Sequence, residues 1–251
     1  MNHPIKIEVC AGSVESAIAA QEGSADRVEL CENIYEGGTT PSAGSIMTAR
    51  RYLTIGLNVM IRPRGGDFCG SDLEFEIMKK DVGVVKDLQA DGIVFGILKQ
   101  DGQVDLERSK IIIELARPLT VTFHRAFDMT PDPFRALDDC VNLGVDRILT
   151  SGQRNKAVEG ADLIAELVKK AGDALTILVG SGVDEQNIAE LIHKTGAQEF
   201  HVSGRKRVDS VMTYRNPNVS MGGIPNIPEY EYSVTDAERI KSIVRIARST
   251  G

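Results

Sequence analysis

Residues 5–32 read IKIEVCAGSVESAIAAQEGSADRVELCE, and this stretch decides the fold. Both ends alternate apolar with polar residues, the period of a strand that turns one face to a core. Between them Ser13, a favoured N-cap residue type, opens a helical stretch to about Ser24. Strand, helix and strand in so short a span form a crossover unit, the connection that parallel strands require.

The unit recurs along the chain. Further strands are predicted at LNVMIRP (57–63), GIVFGIL (92–98), LTVTFHRAF (119–127), RILTSG (147–152), LTILVGSG (175–182) and EFHVSG (199–204). Helices are predicted near 45–52, from a Ser71/Glu74 capping box to about 89, over 106–116, after Asp132-Pro133, near 161–170, from Asp184 to Gly196, and from a Thr235/Glu238 capping box to about 247. Eight such units in 251 residues, with no surplus strand, predict an α/β chain folded as one (β/α)8 TIM barrel over 1–251. An open doubly wound sheet is disfavoured, because no Gly-rich dinucleotide fingerprint follows the first strand. A stretch at about 205–233, rich in Gly and Pro around Met221-Gly222-Gly223, is expected to be irregular, as a lid or a dimer contact.

Composition narrows the function. The formal net charge is −7, which argues against a nucleic-acid partner. No apolar run reaches the ~20 residues of a membrane span, and MNHPIKIEVC lacks the features of a signal peptide, so a cytoplasmic protein without a membrane partner is expected. The four cysteines Cys10, Cys31, Cys69 and Cys140 match no zinc-finger spacing and are expected to be free thiols.

Alternation then assigns faces. If Ile5, Ile7 and Val9 face the helices, Lys6, Glu8 and Cys10 point into the barrel. On the second strand Arg27, Glu29 and Cys31 point inward, on the third Asn58, Met60 and Arg62, on the fifth Thr120, Thr122 and His124, and on the eighth His201 and Ser203. Strands four and six are ambiguous by this test. Charged groups in a barrel interior require partners, because an isolated buried charge costs several kcal/mol. An internal ion-pair network linking Glu8 and Glu29 to Lys6, Arg27 and Arg62 is one reading of the lower layers.

Three constellations carry chemistry. Cys10 and Cys31 end adjacent strands, about 4.8 Å apart, and two thiolates suit a soft ion such as Cu(I). The plain alternative is a pair of small buried residues. Glu8, Arg62 and His124 form a candidate catalytic set, with Arg62 gripping a carboxylate or phosphate while Glu8 and His124 move protons. Gly180, Ser181 and Gly182 after strand seven, Ser203 and Gly204 after strand eight, Ser151 and Gly152 after strand six, and Arg64 in the RPRGGD loop form a candidate anion site. Arg205, Lys206 and Arg207 either add positive potential there or form a solvated run.

The blocks EVC with SVESA (8–17), RVELC, EGGTTPS, VMIRPRGGDF, VTFHRAFD, RILTSG and EFHVSG resemble the CutC family, associated by name with copper homeostasis. The resemblance runs from the first strand to the last helix. It implies a cytosolic TIM barrel, a homo-oligomer (dimer or tetramer), and Cu(I) bound through Cys10 and Cys31, with no organic cofactor. Cys69 and Cys140 lie outside the matching cysteine positions. The expected function is copper homeostasis with the copper ion as ligand. The alternative is an enzyme acting by acid–base chemistry on a small phosphorylated or carboxylated metabolite, because Glu8, Arg62 and His124 exceed what a two-thiol site needs.

Overall fold

β1 (Lys6–Ala11) and β2 (Arg27–Leu30) pair in parallel, with Glu8 opposite Arg27 and Cys10 opposite Glu29. This is the start of a closed barrel in a computed structural model that describes residues 4–221 and 227–250. β3 (Gly56–Met60), β4 (Gly92–Phe95), β5 (Thr120–Phe123), β6 (Arg147–Thr150), β7 (Thr176–Gly180) and β8 (Glu199–Val202) follow in chain order. β8 closes on β1 with His201 opposite Glu8. Around the barrel lie α1 (Val14–Glu22), α2 (Ala43–Tyr52), α3 (Asp72–Asp87), α4 (Leu106–Ala116), α5 (Pro133–Leu143), α6 (Ala161–Ala171), α7 (Ile188–Thr195) and α8 (Ala237–Thr250). The chain is a (β/α)8 TIM barrel.

Local chemistry starts most helices where the sequence predicts. Ser13 caps α1, Ser71 and Glu74 form a full capping box on α3, and Asp132 caps α5 with Pro133 in its first turn. Two starts differ. Asp184 closes a turn by accepting from Gln186 N at 2.9 Å, and α7 begins only at Ile188. Asp236, not Thr235, accepts from Glu238 N (2.9 Å) at the head of α8, because the Thr235 hydroxyl is spent on Ser203 O (3.2 Å).

Strands three and five also stop short of their predicted ends. Pro63 lies beyond β3, and His124 leaves the β5 ladder to head a short 3-10 turn, Arg125–Met129. The stretch 205–233 is not irregular throughout. β9 (Arg205–Asp209) and β10 (Glu231–Thr235) pair antiparallel at its two ends, Arg205 opposite Thr235. Gly222 and Gly223 lie outside the described residues.

The predicted faces hold on β1, β2, β3, β5 and β8. Ile7, Val9, Val28, Leu30, Leu57, Val59, Val121, Phe123, Phe200 and Val202 join one apolar layer under the helices. Each fully buried Leu, Ile or Phe there contributes about 1.5–3 kcal/mol. The two ambiguous strands resolve. Val94 of β4 packs inside the barrel with Cys31 and Met60, and Leu149 of β6 lines the cavity at the barrel mouth.

Candidate functional site

The barrel interior is layered. At the lower level Arg27 Nε donates to Glu8 Oε2 (2.5 Å) and Arg27 Nη2 to Glu199 Oε2 (2.5 Å), while Arg147 Nε reaches the same Glu199 oxygen at 3.0 Å. Asn58 Nδ2 donates to Glu8 at 3.1 Å. Burial alone would raise the Glu8 pKa, but the guanidinium of Arg27 and the ring of His201 hold it well below the usual carboxylate range. The ion-pair reading therefore describes Glu8 and Arg27, with Glu199 as a partner that alternation along β8 did not single out. Arg62 is not part of this network.

His201 bridges this layer to the next. Its Nδ1 lies 2.8 Å from Glu8 Oε1, and its Nε2 lies 3.7 Å from Glu29 Oε2. Burial opposes charge on the ring, yet Glu29, the Cys10 sulfur and Glu8 together hold its proton well above the ordinary imidazole range. Burial pushes the Glu29 carboxyl up to about 8, against the pull of His201 and with the anionic neighbours Cys10 and Glu8 adding to the rise.

Above them lies the cysteine pair. Cys10 Sγ is 3.8 Å from Cys31 Sγ and 3.4 Å from Arg205 Nη2. The Cys31 thiol, donating to Cys10, is the main reason that Cys10 lies well below the ordinary thiol range despite burial, and His201 and Arg205 add to it. Its role as donor in that contact, followed by burial, pushes Cys31 far up. Cys10 is therefore the more readily ionised of the two sulfurs.

Cys10, Glu29 and His201 floor a cavity of about 440 Å³ at the C-terminal rim, walled by Arg62, Phe68, His124, Ser181, Gly182, Ser203 and Arg205 among others, with Cys31 buried behind Cys10. Arg62 is held from the outside. Its Nη1 donates to Glu36 O and Gly38 O (2.9 Å each), its Nη2 to Gly66 O (2.8 Å), and its guanidinium lies 5.0 Å from the Phe68 ring centroid. His124 also packs on Phe68, 4.9 Å between ring centroids. Its Nδ1 accepts from Ala126 N at 3.1 Å. Gly96 makes room for it, since a Cβ there would fall 2.6 Å from the imidazole. Burial, and then the nearby Arg62 charge, bring its pKa down to about 3.

The structure thus brings Arg62 and His124 together on the cavity through Phe68, but places Glu8 below them, hydrogen-bonded to Arg27, Asn58 and His201. Of the candidate anion residues, Ser181, Gly182 and Ser203 line the cavity. Gly180 lies against Leu149 and His201, and Gly204 against Ile240 of α8. Ser151 and Gly152 are otherwise engaged. The Asp128 carboxylate accepts from Ser151 N (3.0 Å), Ser151 Oγ (2.9 Å) and Gln153 N (3.1 Å), and Gly152 N donates to Thr150 Oγ1 (2.9 Å). Arg64 pairs with Glu74 (2.5 Å) and Asp67 (3.3 Å) outside the cavity. Phe68 and Asp128 are the residues that sequence reasoning missed. Phe68 sits in the RPRGGDF block, and only its contacts reveal that both Arg62 and His124 pack on it.

Fold and site together define a (β/α)8 barrel protein with a cysteine pair at a rim cavity, Cys10 lining it and Cys31 buried behind. The chain belongs to the CutC family, whose sequence profile matches residues 5–206. It is 50% identical over 244 residues to a Bacteroides fragilis family protein CutC, covering 97% of each chain. It is 45% identical over 243 residues to the human copper homeostasis protein cutC homolog, covering 97% of this chain and 89% of that one. The crystal structure of CutC from Streptococcus agalactiae superposes with a TM-score of 0.76 at 37% identity, covering 79% of this chain and 98% of that one. Among the described residues no helix is long and apolar enough to cross a membrane.

Proposed function

We propose that this CutC-family chain acts in copper homeostasis by holding Cu(I) between Cys10 and Cys31. The observation that carries the reading is the 3.8 Å separation of the two sulfurs, and the surroundings of Cys10 favour its ionisation. Thiolate–metal bonds of about 2.3 Å let one ion bridge sulfurs up to about 4.6 Å apart. Two thiolates select a soft ion such as Cu(I) over Mg or Ca. Glu29 offers a third donor, since ligand atoms of Cys10, Glu29 and Cys31 all lie within 4.8 Å of one another. Cu(I) held by two thiolates carries one net negative charge, which Arg205 and the His201 imidazolium complement.

The same reading puts the protein in the reducing cytoplasm, where thiols stay free. It also makes the working form a homo-oligomer. Val211, Met212, Tyr214, Met221 and Tyr232 are all exposed between β9 and β10 or on β10, a surface suited to a second copy. Light scattering of the purified chain checks the oligomer.

Anaerobic Cu(I) titration against a chromophoric chelator tests the site. One Cu(I) per chain is expected in the parent, and its loss in the Cys10→Ser/Cys31→Ser variant. Equal retention of Cu(I) by that variant would overturn the proposal.

A further inference from the structure

Two bound sulfurs leave most of the cavity unexplained. At about 440 Å³ it has the size of a small-molecule pocket. A single ion on its floor uses a small part of it.

The wall formed by Arg62, Phe68 and His124 points to what fills the rest. Arg62 is 8% exposed, and among the described residues no carboxylate pairs with it. Three backbone carbonyls take its Nη protons, and its Nε–H has no partner. A buried cation held by carbonyl dipoles and one aromatic ring, with no counter-charge, is costly, and an anion beside it offsets that cost. Of the other cations on the cavity, Arg125 pairs with Asp128 at 2.8 Å and His201 with Glu8 at 2.8 Å, while Arg205 reaches the Cys10 sulfur at 3.4 Å.

His124 makes a matching demand. It is 4% exposed, and because Nδ1 accepts from Ala126 N, the neutral ring carries its proton on Nε2. That Nε2 has no partner either. Two unpartnered donors, Arg62 Nε–H and His124 Nε2–H, therefore sit on side chains that both pack on Phe68 and line one cavity. Buried donors are normally satisfied, so this grouping marks a place for acceptor oxygens.

The opposite wall supplies the second half. Ser181, Gly182 and Ser203 come from the loops after β7 and β8, the usual anion position in this fold. Ser181 holds φ at 78° and Gly182 at 70°, a left-handed pair whose first member is not a glycine. The Ser181 hydroxyl donates to Asn155 O at 2.6 Å, which fixes the loop. The loop after β6 shows the contrast, since the Asp128 carboxylate fills its N–H and hydroxyl donors.

We propose that the cavity between Arg62–Phe68–His124 and the loops after β7 and β8 binds a small organic oxyanion, a phosphomonoester or a carboxylic acid, as a ligand distinct from copper. Both protons are covered in the free protein, so small turns of the Arg62 and His124 side chains bring them onto acceptor oxygens of that ligand, and its body lies over Phe68. The proposal does not depend on the copper reading, because neither Arg62 nor His124 touches the two sulfurs.

Copper-free full-length protein is titrated with inorganic phosphate and, separately, with malonate, at ionic strength held constant with chloride. Saturable binding of one anion per chain is expected for at least one of the two, with a rise in Tm that chloride does not give. The anion that binds tells which head group the site takes. Ser203→Asp, which adds a negative charge to the cavity wall, and Arg62→Met are each expected to weaken binding by about thirtyfold or more, the loss typical of a buried charge contact. Should Arg62→Met fail to fold, Ser203→Asp carries the test alone. If neither anion exceeds chloride, or folded Ser203→Asp binds like the parent, the proposal is wrong. A failed Cu(I) titration leaves this result untouched, because no copper is present.

Discussion

Cys10 Sγ lies 3.8 Å from Cys31 Sγ across the β1–β2 pair, and the two sulfurs differ in their readiness to ionise. The Cys31 thiol and, less strongly, His201 and Arg205 stabilise a thiolate on Cys10, while the same contact and burial hold Cys31 protonated. Copper-free protein is therefore expected to alkylate at Cys10 well below the ordinary thiol pKa of about 8.5, and at Cys31 hardly at all. Peptide mapping after iodoacetamide pulses across pH reads this directly. Cys31→Ala is expected to shift the Cys10 profile upward by more than Arg205→Met does, because the thiol donor is the larger influence. A Cys10 profile centred in the ordinary thiol range would contradict the assignment.

Arg27 neutralises two buried carboxylates at once, Glu8 and Glu199, each at 2.5 Å. Arg27→Met leaves both without their main cation, and breaking a buried pair in this way costs about 3–5 kcal/mol. The double variant Glu8→Gln/Arg27→Met is expected to recover part of that loss, since one stranded charge is gone. Urea unfolding at neutral pH yields the cycle. A coupling energy near zero would show that the network is not a unit.

The fold was legible because the outward faces of the strands are almost purely aliphatic, so Ile7 and Val9 or Val28 and Leu30 declare the core side without help. Glu8, Arg27 and Cys10 then followed by alternation. What could not be read was partnership across the closure. His201 meets Glu8 only because β8 pairs with β1, a contact between residues at opposite ends of the chain. Arg205 presented itself as one of three basic residues in a row, and only its contact with Cys10 distinguishes it. Glu8, Arg62 and His124 share inward positions but not height. Alternation reports which face a side chain takes and says nothing of its level along the barrel axis.

His124 makes acid stability testable. Its folded pKa is lowered from 6.5 to about 3, so the unfolded chain binds the proton first as pH falls. Its contribution is fully present above the unfolded value of 6.5 and is lost as pH falls through about 3. The whole effect is on the order of 5 kcal/mol. His124→Phe removes this titration and also the acceptor for Ala126 N, a loss of about 1–2 kcal/mol. The variant is thus expected to be less stable than the parent at neutral pH, with the difference shrinking and reversing toward pH 3 in thermal melts. Parallel curves over that window would refute the neutral assignment of the ring.

Asp128 stabilises the rim from within. Its carboxylate accepts from Thr150 Oγ1 (2.5 Å), Ser151 N (3.0 Å), Ser151 Oγ (2.9 Å) and Gln153 N (3.1 Å), and pairs with Arg125 Nε (2.8 Å). One side chain thereby ties the turn after β5 to the loop after β6. Asp128→Ala strands several donors at once, and each donor left buried without a partner costs about 1–3 kcal/mol. A loss of about 3 kcal/mol or more in chemical unfolding is expected. Asp128→Asn separates charge from shape, because the amide keeps one acceptor but turns a donor toward N–H groups that already donate. It is expected to fall between the parent and Asp128→Ala. The emptied cradle also offers an internal check. Phosphate or sulfate added to Asp128→Ala is expected to restore part of the stability by taking the place of the carboxylate, and the parent, whose cradle is full, is expected to gain nothing at this loop. Hydrogen exchange at the Ser151 and Gln153 amides locates the effect, and rescue without protection of those two amides would place the anion elsewhere.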